Sequence, residues 1–318
     1  MRILAISILP IVFAAIIALP GCAAGKDIPI LSERVPEARN IEANISSDVS
    51  NTEAATNIIN MIKERFSPEF LHSAGIDAIY LCEELYCKGI PVPAAAIRTE
   101  GKTYVYVDVS AVRRIDVSLT HELFHALELV HPIDEEAWAG INPYETYPYD
   151  TAEPGETIRY TPNISPAFEP GFVSDYARFS AMEDRAELFT ALYSGRELSV
   201  KERAAMRSDP FLSEKIRFLK DYLGKAGLAT DEMNDNLFIE TRYTCGLYRL
   251  VEPELVQIGP GGSYPNAIIK AGQPLADSGF EKDGMKILFD CENGFSRVYA
   301  PTSAIEPIEG ETVIVEFP

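Results

Sequence analysis

His121-Glu122-Leu123-Phe124-His125 is the stretch that decides how this chain is read. On a helix, residues four apart share one face, so His121 and His125 present two imidazoles to a single metal ion with Glu122 beside them. This is the HExxH pattern, two zinc ligands and a carboxylate able to act as general base. The flanks read as helix: Ser118 or Thr120 can cap its start, and Leu123, Phe124, Leu127 and Val130 supply an apolar side. Histidine is scarce, four in 318 residues, so two at this spacing carry information. The plain alternative is a solvated helix with two unligated histidines.

Two histidines do not complete a zinc site; a third protein ligand is required. His131 follows His125 at metzincin spacing, but Glu128, a helix former, stands where that pattern needs a helix-breaking glycine. The other candidate lies in a predicted helix from about Asp175 to Tyr193. There Tyr176, Glu183 and Glu187 fall at i, i+7 and i+11, one stripe of the helix. Phe189 and Leu192 leave that stripe little solvated face, and buried polar groups need partners, which a metal supplies. Glu183 and Glu187 are rivals for the ligand role.

HExxH followed by Tyr-x6-Glu-x3-Glu resembles the lethal-factor-type gluzincins, which include secreted Pro-Pro endopeptidases. The wording Gly171-Phe172-Val173-Ser174-Asp175-Tyr176-Ala177, then Glu183-Asp184-Arg185-Ala186-Glu187, is similar to zinc-binding metallopeptidases found among bacterial lipoproteins. The resemblance covers about residues 51–225. It implies an α+β zincin-like metallopeptidase domain and one Zn2+ held by His121, His125 and Glu183. It further implies Glu122 as general base, Tyr176 as donor to the oxyanion, and Glu187 orienting a histidine ligand. The substrate it implies is a peptide or protein. Against this stands a catalytically silent surface lipoprotein that keeps the peptidase body as a binding scaffold.

The N-terminus is read as a targeting segment. Arg2 precedes an apolar run from Ile3 to Leu19, a secretory h-region, and Leu19-Pro20-Gly21-Cys22 resembles a bacterial lipobox. Residues 1–21 are thus expected to be a signal peptide and Cys22 a lipidated N-terminus, with the body extracytoplasmic and anchored to the bacterial membrane. An uncleaved membrane anchor is the alternative. The net charge of -20 argues against nucleic-acid binding, which needs clustered Lys and Arg.

Setting Cys22 aside leaves Cys82, Cys87, Cys245 and Cys291, an even number that suggests disulfides in an exported chain. Cys82 with Cys87 and Cys245 with Cys291 are favoured because each pair stays within one domain. Residues 22–50 are polar and aperiodic and read as a tether. The catalytic domain is expected over 51–230. It opens with a helix over 51–65 and carries strands at 76–80, 91–97 and Thr103–Val109, the last alternating cleanly. A Pro- and Tyr-rich stretch over 132–171 reads as a long loop, either a wall or lid of the cleft or a structural wrap. Helices are expected after Ser199 and over Phe211–Leu223. From 236 to 318, short β-type runs separated by Gly, Pro and Asn mark a small all-β domain.

Overall fold

The alternation in Thr103–Val109 does what it predicts: Val105, Val107 and Val109 enter the main core, while Tyr104 and Tyr106 pack on a smaller cluster across the sheet. The computed structural model describes residues 28–32, 38, 40–142, 149, 170–226, 241–251, 254–256, 267–292 and 296–317. The predicted signal segment, Cys22 and most of the Pro/Tyr-rich stretch lie outside these. Among the described residues no helix is long and apolar enough to cross a membrane.

In chain order the first part comprises β1 (Ile30–Leu31), β2 (Ile41–Ile45), α1 (Val49–Arg65), α2 (Pro68–Ser73), β3 (Ile76–Cys87), β4 (Ile90–Pro91), β5 (Ala94–Thr99) and β6 (Lys102–Asp108). Then come α3 (Ile115–Val130), α4 (Glu135–Ala139), α5 (Ala181–Tyr193), α6 (Val200–Arg207) and α7 (Pro210–Lys225). The six-stranded sheet runs β1-β3-β6-β5, with β2 and β4 also paired to β3. β3 and β6 are parallel, β5 and β6 antiparallel, and β5 is an edge.

The expected tether therefore contributes to the fold. Ile30 and Leu31 pair with Ile79 and Tyr80, Ile41–Ile45 pairs with β3, and Ile28 is buried. These strands are too short to announce themselves by alternation; β3 templates them with its free backbone groups.

α3 is the central helix, packed against β5, β6, α1 and α5. Neither Ser118 nor Thr120 caps it. The helix begins at Ile115 behind a 3-10 turn, without a side-chain cap bond. Asp116 in its first turn instead takes a bidentate pair from Arg65 at 2.8 and 2.9 Å and the Gly195 N–H at 3.1 Å, joining α1, α3 and the end of α5. A Cβ at Gly195 would meet Asp116 Oδ2 at 2.2 Å, so only glycine allows this approach.

The second part holds β7 (Thr241–Leu250), β8 (Glu254–Val256), β9 (Ala267–Ile269), β10 (Pro274–Lys282), β11 (Met285–Asp290), β12 (Ser296–Pro301) and β13 (Ile305–Phe317). Its five-stranded antiparallel sheet runs β12-β11-β10-β7-β13. Ala204 and Ala205 of α6 share a cluster with Leu247, Ala276, Phe289 and Val315, and buried Arg297 reaches buried Asp209 at 3.3 Å.

All four described cysteines are free, against both expected pairings. Cys82 and Cys87 lie on one strand, where the extended chain holds them roughly 15 Å apart, beyond the reach of a disulfide. Cys245 is on β7 and Cys291 follows β11. β10 lies between these strands, setting their backbones about 10 Å apart.

Candidate metal centre

Helical spacing puts His121 and His125 on the same side of α3, and α5 crosses it so that Glu183 comes between them. His121 Nε2 lies 2.9 Å from Glu183 Oε2 and 2.9 Å from His125 Nε2, and His125 Nε2 lies 3.4 Å from the same carboxylate oxygen. Among the described residues these three form the one group of potential ligands able to hold a metal ion. Two sp2 nitrogens and a carboxylate oxygen, lying within 4.8 Å of one another, fit zinc better than a hard cation that prefers an all-oxygen shell.

The outer contacts separate the two glutamates. Glu187 Oε1 is 3.0 Å from His121 Nδ1, on the far side of the ring, while its Oε2 accepts the Ser174 hydroxyl at 2.7 Å. A carboxylate facing Nδ1 keeps the proton there and leaves Nε2 its lone pair. Glu183 thus faces the common point and Glu187 backs His121.

His131 takes no part. α3 runs without a break through Val130, and His131 caps it with its backbone N–H while its carbonyl accepts Tyr222 Oη at 2.7 Å. Glu128 continues the helix in place of the glycine that would have turned His131 back, which corrects the metzincin alternative.

The predicted helix from Asp175 to Tyr193 is also two pieces. Tyr176–Arg178 is a 3-10 turn, Ser180 is extended at φ -159° and ψ 163°, and its hydroxyl caps α5 by accepting the Glu183 N–H. Tyr176 is therefore not on one helical stripe with the glutamates. It still reaches the site, its ring centroid 6.1 Å from that of His121.

Glu122 stands beside the histidines and accepts the Ala96 N–H of edge strand β5 through Oε2 at 2.6 Å. Glu122, Tyr176 and the three candidate ligands all line one cavity of about 630 Å³. Ala94–Ile97 forms one wall, and Ile90, Leu129, Ile133 and Met182 give it apolar surface.

Electrostatically the site is built for positive charge. Burial alone would lower the His121 pKa, but its bonds to Glu183 and Glu187 outweigh burial and bring it up to about 9. His125 is raised well above its ordinary value: burial is overcome by Glu183 and Glu128. Glu183, which burial would raise, is held well below the usual carboxylate range by His125 and His121. Surroundings that hold a proton this firmly also attract a divalent cation.

Sequence reasoning missed Ser174, Glu128 and Arg185. Glu128 had a signal in its position one turn after His125; the other two become meaningful only once α3 and α5 are in contact.

No protein-family model matches this chain, and no curated protein matches it. Among solved structures it is similar to a chain from Bacteroides caccae described as a "putative zinc-binding metallo-peptidase", at 16% identity and a TM-score of 0.41, covering 67% of this chain and 82% of that one.

Proposed function

We propose that the chain is an extracytoplasmic zinc metallopeptidase that hydrolyses peptide bonds. The observation that carries this reading is the meeting of His121, His125 and Glu183 at one point, with Glu122 beside them in an open cavity. Bound zinc supplies Lewis acidity and activates water near neutral pH. Glu122 accepts the proton of the attacking water and delivers it to the leaving amine. Tyr176, which lines the same cavity, donates a hydrogen bond to the developing oxyanion. Glu187 fixes the orientation of His121.

The wall of the cavity supports a peptide as the class of substrate. β5 is an edge strand, and its Ala96 N–H points to Glu122, away from β6. An extended peptide can add to such an edge through its main chain, which suits a peptide better than a small polar metabolite.

The test is metal content by mass spectrometry together with a peptide-library digest, with and without chelator. One zinc per chain and chelator-sensitive cleavage are expected. A chain that binds zinc and cuts no peptide would instead be the silent binding scaffold.

The lipobox reading extends the proposal to a membrane-anchored enzyme. Cys22→Ala should abolish incorporation of labelled fatty acid; undiminished labelling would refute it.

A further inference from the structure

His121 has an outer carboxylate in Glu187; His125 has a less obvious one. We propose that Glu128, clamped by Arg185, is the positioning residue of His125, holding its Nδ1 proton as Glu187 holds that of His121. This rests on the metal-centre reading above.

Glu128 Oε2 lies 3.6 Å from His125 Nδ1. Both atoms are buried and neither has a hydrogen-bond partner. A ring N–H and a carboxylate oxygen are complementary, and a buried polar atom left without a partner destabilises the fold. Facing each other, they are each other's remedy. At this distance the contact falls short of a full hydrogen bond.

The other oxygen fixes the carboxylate in place. Glu128 Oε1 accepts Arg185 Nε at 2.5 Å, the two side chains being 8% and 3% exposed. Arg185 comes from α5, two positions beyond Glu183, and lines the same cavity. One turn of α5 thereby carries a ligand, the brace of one histidine, and the clamp on the brace of the other.

If Glu128 served only as a counter-ion for buried Arg185, altering its second oxygen would change stability and leave His125 alone. Glu128→Gln separates the cases. Its amide oxygen can still accept from Arg185, which turns the amide N–H toward Nδ1. A donor facing Nδ1 favours the tautomer with the proton on Nε2, the nitrogen that must be bare to bind metal.

The experiment is zinc affinity by competition with a chromophoric chelator, paired with imidazole 15N shifts of the zinc-loaded protein. E128Q is expected to lose about 10- to 100-fold in zinc affinity and to move the Nδ1–H resonance of His125 upfield, its carboxylate acceptor gone, while that of His121 stays in place. Arg185→Lys, which keeps the charge but not the Nε donor, should show a smaller loss in the same direction; it also carries the test should E128Q fail to fold. Wild-type affinity in both variants with an unchanged His125 resonance would overturn this proposal alone. A wild-type chain that takes up no zinc would overturn it together with the metal reading.

Discussion

Glu122→Gln will keep one zinc ion per chain and lose peptide hydrolysis by about 10²–10⁴-fold, the usual contribution of a general acid–base group. The side chain accepts the Ala96 N–H at 2.6 Å, and it lies outside the His121–His125–Glu183 group. A glutamine amide keeps an oxygen for Ala96, so β5 and α3 should stay where they are. What disappears is the basic oxygen that would take a proton from water. Glu183→Ala is the contrasting variant: it removes one of three donors and should lose zinc and hydrolysis together. Metal content by mass spectrometry and turnover of one peptide, measured on both variants, read the two results side by side. Undiminished cleavage by the Glu122 variant would remove Glu122 from the mechanism.

Lys215→Met should be the most destabilising single change outside the site. Lys215 Nζ and Asp184 Oδ2 are 2.7 Å apart, both side chains fully buried. The same carboxylate oxygen accepts Trp138 Nε1 at 2.8 Å and Tyr149 Oη at 2.9 Å, and Lys215 also donates to the Gly171 carbonyl. Burial pushes the Asp184 carboxyl up and the Lys215 amine down, and each is the other's main compensation. Removing one partner leaves an unpaired charge in the core, which costs roughly 3–5 kcal/mol, a fall in Tm on the order of 10 °C for a domain of this size. Lys215→Met with Asp184→Leu should recover much of that loss, because a buried pair replaced by apolar groups is often neutral or stabilising. Thermal denaturation of the single and double variants decides it; a double variant no more stable than the single one would point to the Trp138 and Tyr149 bonds as the larger part.

What could be read in advance followed from spacing. The i, i+4 histidines and the i, i+4 glutamates are local geometry, and local geometry survives whatever the rest of the chain does. Tyr176 lines the cavity without sharing a helix with the glutamates. The predicted helix does not reach it, because Ser180 turns extended to cap Glu183, and no periodicity announces such a break. β1 and β2 were invisible because their pairing depends on β3, not on their own side chains. The Cys82–Cys87 pairing failed because proximity in sequence means separation once the segment is a strand. Glu128 was noticed only as an obstacle to the metzincin pattern; its partner Arg185 lies on another helix, and a contact between helices has no signature in either one.

The two imidazoles sit on α3, and the carboxylate that completes the group arrives on α5. An unfolded chain keeps the first two together and loses the third, so on the proposed reading zinc binds the docked helices far better than the loose ones. Each tenfold rise in free zinc above the dissociation constant then adds about 1.4 kcal/mol against unfolding. The ion would act as a latch on tertiary structure, and wherever proteases attack whatever opens, the lifetime of the chain would follow the zinc content of its surroundings.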